Sequence, residues 1–163
     1  VKKLVIGISI GVVIGVVLCA LLMVSVFPKM MLLVDKSNYD FEETYSKLEN
    51  SILEHDWDIQ RVYEIQECMS HYGYDGMKKL SIFSFCKANY VNEILKDDKD
   101  KRVSAIMPCR ISVYETNDGE VYISRMNIGL MSKLFGGKIE EVMAKVAAEE
   151  ASIVERIIRQ KEK

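Results

Sequence analysis

The sequence predicts a two-layer α+β domain, with helices on one face of a mainly antiparallel sheet, behind one N-terminal transmembrane helix. Three observations predict it. An uncharged run of 24 residues, Leu4 to Phe27, exceeds the roughly 20 residues needed to cross bilayer hydrocarbon. Beyond it, short β-rich segments alternate with three helical segments, a mixture that fits one core of two layers. Asp118-Gly119, between two β-rich runs, is a hairpin signal that favours antiparallel pairing.

The first element is the apolar run. A cleaved secretory signal is usually shorter and ends in small residues, whereas this run passes Cys19 and Ala20 into "LLMVSVF". A lipid-modified Cys19 would want a small residue before it, and Leu18 is not small, so Cys19 reads as an apolar side chain. Residues 1–28 therefore form a single-pass anchor and residues 29–163 a domain outside the cytoplasm. Lys2 and Lys3 ahead of the run favour an N-terminus on the inside. Gly7, Gly11 and Gly15 stack on one helical face as two G-x-x-x-G units, the pattern that lets membrane helices approach closely. The expected partners are the lipid bilayer and either a second copy or another membrane protein.

Pro28 should end or bend this helix, and "KMMLLVD" then reads as a strand. In "DFEETYSKLENSILE", 40–54, Phe41, Tyr45, Leu48 and Ile52 share a helical face, with Asp40 and Glu43 at capping-box positions. "WDIQRVYEIQ", 57–66, alternates in part and reads as a strand, "ECMSHYGYDGM" as a loop, and "KLSIFSF" as a strand running up to Cys86. "ANYVNEIL" is a short helix. The mixed-sign cluster "KDDKDKR", 96–102, reads as a solvated loop or helix end. "VSAIMPCRISVYETNDGEVYISRM" reads as strand, break at Pro108, strand, turn and strand. After the approach "GLMSKLFGG", an apolar face through Ile139, Val142, Met143, Val146, Ile153, Val154 and Ile157 predicts a helix from Lys138 to about Arg159.

Past Phe27 the chain holds 20 of the 22 Lys and Arg and all 24 Asp and Glu, a formal charge of −4. That mild acidity argues against a nucleic-acid surface. Cys68, Cys86 and Cys109 are too few for a disulfide framework. Cys68, Met69, His71 and Met77 are candidate soft ligands on one glycine-containing segment, without the spacing of c-type haem attachment or a zinc knuckle. Arg110 and Arg125 are candidates to flank an anion. His55 near the end of a helix suits a structural role. No serine partners it, and "GLMSKLFGG" lacks the phosphate-loop pattern. No enzyme is predicted, and no cofactor; haem or copper are the alternatives.

Residues 30–160 resemble the domain of unknown function 302 family. The likeness is carried by a strand ending in Cys86, the "KANYVNEIL" helix, "MPCRISVYETNDGEVYISRM" and the earlier "SNYDFEETYSKLENSILEHDW". The resemblance implies the α+β fold and self-association, and supplies no reaction. By position, Pro108 and Cys109 match the family's proline–cysteine motif and Cys86 the cysteine closing the preceding strand. Two functions from different classes follow. One is a membrane-anchored, non-catalytic subunit or oligomerising assembly module. The other is an extracytoplasmic redox or soft-metal domain using Cys109 with Cys86, and with them the Cys68/His71 segment.

Overall fold

The computed structural model describes the backbone of residues 2–158, and the side chains of 11–158. Arg159, the expected end of the last helix, lies outside the described residues, as do the side chains of Lys2 and Lys3.

Helix α1 (Lys2–Met31) runs through Pro28 and three residues beyond it, so the proline neither ends the helix nor begins the strand. Its last carbonyls have partners that the local sequence does not show. The Asn127 backbone N–H donates to the Met31 carbonyl at 2.8 Å, and Asn127 Nδ2 donates to the Met30 carbonyl at 2.9 Å. Two of the acceptors that a helix C-terminus leaves open are thereby satisfied. Within α1, Gly11–Met31 is a 21-residue apolar stretch with none of it buried. At 1.5 Å per residue it is about 31 Å long, enough to cross a bilayer.

Strands β1 (Leu32–Lys36), β2 (Asp58–Glu64), β3 (Leu80–Cys86), β4 (Cys109–Glu115) and β5 (Val121–Met126) form one sheet in the order β1-β5-β4-β3-β2, every pair antiparallel. The β4–β5 hairpin turns where Asp118-Gly119 predicts, with Gly119 at φ +84. The partial alternation of 57–66 has a cause: the register shifts between Ile59 and Arg61, so that Ile59 and Val62, three apart, pair with Phe85 and Phe83 on the helix-covered face.

The helices cover the face carrying Phe83, Phe85, Ile111, Val113, Val121 and Ile123, all buried. Helix α2 (Phe41–Glu54) starts at Asp40, whose side chain accepts from the Glu43 N–H at 2.9 Å, and buries Phe41, Leu48 and Ile52. Helix α6 (Gly137–Glu155) buries the predicted apolar face and packs on α2, α4 (Ala88–Leu95) and α5 (Ile128–Ser132).

Two segments depart from expectation. Residues Ile65–His71 form helix α3 where the last two residues of a strand and then a loop are predicted; it packs on β3. Asp98–Ile106 is a 3-10 helical stretch where a solvated cluster and then a strand are predicted. Val103 is 2% exposed and Asp100 7%, so this segment turns a side inward that its charges conceal. Its Val and Ile look β-forming in isolation, but contacts with α4 decide the outcome.

Candidate functional site

Antiparallel pairing brings five strand ends to the edge of the sheet where α1 arrives. Leu32 opens β1, Asp58 opens β2 directly after Trp57, Cys86 closes β3, Cys109 opens β4 and Met126 closes β5. A cavity of about 380 Å³ lies there, roofed by Tyr90, Val91 and Ile94 of α4, Val103 and Ile106 of the 3-10 stretch, and Met143 and Val146 of α6. Residues from both sheet faces line it: Cys109 and Arg125 from the helix-covered face, Arg110, Ser112 and Ser124 from the other.

One wall is fixed by a polar network. Glu149 accepts from Trp57 Nε1 at 2.8 Å, from Lys87 Nζ at 3.0 Å and from the Tyr90 hydroxyl. Burial pushes the Glu149 carboxyl up, but these three hydrogen bonds outweigh it and hold the carboxyl below its ordinary value. The bond to Glu149, with burial, pushes the Tyr90 hydroxyl up to about 12. Lys87 also donates to the His55 carbonyl at 2.9 Å, tying the end of α2 to this wall. His55 itself bonds the Ser51 carbonyl through Nδ1, as a structural histidine would.

Beneath lies a buried ionic cluster. Arg125, 8% exposed, donates from Nη1 to Asp35 Oδ2 at 3.0 Å, and its Nε is 3.9 Å from Glu150 Oε2. Glu150 is 2% exposed, and its Oε1 has no hydrogen-bond partner among the described residues. Burial pushes this carboxyl up to about 7, against the opposing pull of Arg125. Arg125 is thus engaged by two acids, so the expected pairing of Arg110 and Arg125 around an anion does not form; the two also lie on opposite faces of the sheet. Sequence reasoning missed this cluster. Its signal is a charge at a buried phase: Arg125 continues Val121 and Ile123, and Glu150 sits four residues after Val146.

Cys86 and Cys109 both line the cavity as free thiols on neighbouring strands. The register pairs Cys109 with Phe85 and Cys86 with Asp58, so the two cysteines are not cross-strand partners. Burial, then Glu150 and Cys86, push the Cys109 thiol up to about 12; burial and Asp58 raise that of Cys86. Cys68 and His71 are exposed on α3, beyond the opposite end of β2. Seven residues of strand separate the two ends by roughly 20 Å, so the structure does not bring these residues to the cysteines. Among the described residues no three His, Cys, Asp or Glu side chains are grouped to hold a metal. Gly7, Gly11 and Gly15 are exposed, and a Cβ added at any of them meets nothing within 4 Å.

These placements predict a reactivity order. With a maleimide near neutral pH, Cys68 should label first and Cys109 last of the three domain thiols in the folded protein, read by peptide mass mapping, because the thiolate is the reacting form, Cys68 is exposed, and Cys109 is half-buried with its thiol pushed up to about 12. Equal rates before unfolding would show that Cys109 is not held in this way.

The fold and the cavity define an α+β domain with a small site at the helix-proximal end of its sheet, joined directly to a long apolar helix. The family model described as "Domain of unknown function DUF302" matches residues 34–158, and the chain belongs to that family. The chain is also similar to a crystal structure of an uncharacterized conserved DUF302 protein from Bacillus stearothermophilus. The TM-score is 0.69 at 19% identity, over 78% of this chain and 98% of that one. No curated protein matches.

Proposed function

We propose that this chain is a membrane-tethered, non-catalytic module that works by association, its domain held close to the bilayer outside the cytoplasm. The observation that carries the reading is the continuity of α1 with β1. An apolar helix of bilayer length, with none of Gly11–Met31 buried, passes into an edge strand with no linker between Met31 and Leu32. An apolar surface of that length needs lipid or protein to cover it. Gly7, Gly11 and Gly15 offer the close-approach face for a partner helix. The test is the mass distribution of the protein in mild detergent, with its co-purifying polypeptides. A lone detergent-bound monomer argues against the reading. Replacing the three glycines by Leu fills the face while keeping the helix apolar. The expected result is weaker association with membrane insertion retained; unchanged association assigns assembly to the α+β domain.

A second reading, a redox or soft-metal domain with haem or copper as the bound group, is favoured by one observation: Cys86 and Cys109 line the same cavity. Both thiols are held in the protonated form, so a metal would have to displace their protons on binding. Visible absorption and metal analysis of anaerobically purified protein decide it. Bound metal lost on Cys109→Ser supports the reading, and a colourless, metal-free protein with unreacted thiols sinks it.

A further inference from the structure

The association reading does not use the cavity, and the ionic cluster shares only Arg125 with it. Its walls are mostly aliphatic and aromatic, and its volume falls in the usual range of ligand sites, roughly 300–1,000 Å³. Its lining comes from both faces of the sheet, so the space bends around the ends of β4 and β5. A rigid ring system does not follow such a bend, whereas a flexible chain does. Ser112 and Ser124 leave the floor open on the outer face, where larger side chains would fill it.

Position says where such a chain would come from. The uncharged run ends at Phe27, and Leu32, a cavity wall, follows the last residue of α1. Four helical rises from Phe27 to Met31 are about 6 Å, close to the thickness of one head-group layer. On the membrane-tethered reading, this sets Leu32, one wall of the cavity, near the level where the head groups of the bilayer end. Charge says what the head would be. Lys87 is held by Glu149 and Arg125 by Asp35, but Arg110 is exposed at the cavity and in no ion pair among the described residues.

We propose that this cavity takes the hydrocarbon chain of an acidic amphiphile, its head group paired with Arg110. The proposal rests on the membrane-tethered reading. Binding would remove the apolar walls and the chain together from water, the main source of its affinity. The same chemistry is offered by an anionic phospholipid and by a free fatty acid.

Trp57 is the chain's only tryptophan, is 3% exposed and lines the cavity, so its emission reports on the occupant. The full chain is reconstituted into vesicles and its flotation with them is measured. One arm contains phosphatidylglycerol brominated mid-chain. The other has unbrominated vesicles with a brominated fatty acid added. Loss of Trp57 emission in either arm is expected, and the arm in which it occurs names the source. Ser112→Phe and, at an exposed site, Ala105→Phe should each restore emission by filling the space without changing flotation. Arg110→Ala should weaken quenching by the acidic probes. Quenching that survives both filling variants would overturn the proposal, because the quencher would then reach Trp57 by another route. So would undiminished emission in both arms from protein that floats, which leaves the membrane reading standing. Protein that fails to float overturns the membrane reading and the proposal with it.

Discussion

Replacing Arg125 by Met should lower the stability of the domain by roughly 3–5 kcal/mol at about pH 8, above the Glu150 pKa of about 7, the usual cost of removing one partner from a buried ionic group. Arg125 is the cation that Asp35 and Glu150 share, and Glu150 is almost wholly enclosed. Without it a buried carboxylate faces an apolar layer. Denaturant unfolding in mild detergent, followed by Trp57 emission, measures the loss. The cost should shrink at pH 5, where Glu150 takes up a proton and no longer needs a counter-charge. A loss below about 1 kcal/mol at both pH values would place this cluster with exposed pairs, which contribute little.

The second large effect concerns Glu150 itself. Its folded-state pKa is raised from 4.5 to about 7, so the folded protein keeps a proton that the unfolded chain releases. The contribution of this group to stability is therefore greatest below 4.5, falls as pH rises toward 7 and is flat above. A rise of this size corresponds to about 3 kcal/mol across that window. Asp118 and Glu149 have lowered values and act with the opposite sign, losing their contribution as pH falls through their folded pKa, below the Glu150 window. Glu150→Gln should flatten the pH dependence between 4.5 and 7, and raise stability at pH 8 by up to about 3 kcal/mol. An unchanged slope would mean that another group carries it.

Local chemistry made much of the fold legible. Asp40 reads as a cap because a short acceptor ahead of an amphipathic run meets the free N–H of Glu43, and the contact forms. The strand ending at Cys86, the helix 88–95 and the Asp118-Gly119 turn were readable for the same reason: each is specified within its own few residues. What escaped was specified at a distance. Pro28 reads as a stop, yet the acceptors of the helix end are satisfied by Asn127, about a hundred residues on. The cluster 96–102 reads as solvated and is exposed except at Asp100; Asp100, and Val103 beyond it, are drawn inward by elements that local sequence does not name. Of the site, Cys86 and Cys109 were legible as strand ends on the proline–cysteine pattern. Their register was not, because it depends on which strands pair. The hydrogen bonds that Trp57, Lys87 and Tyr90 send to Glu149 span 59 to 92 residues of sequence, so no local spacing could reveal them.

Asn127 also serves the element that follows it. While its N–H and Nδ2 hold the end of α1, its Oδ1 accepts from the Leu130 N–H at the start of α5. One side chain thus clasps the long helix, the end of β5 and the first turn beneath α6. A helix joined in this way resists spinning independently of the domain. Rotation of α1 about its own axis becomes rotation of the sheet, and the azimuth of the Gly7–Gly11–Gly15 stripe fixes the compass bearing of the domain. Two copies meeting along that stripe would carry their sheets at one set angle to each other, a gearing that a flexible tether would lose.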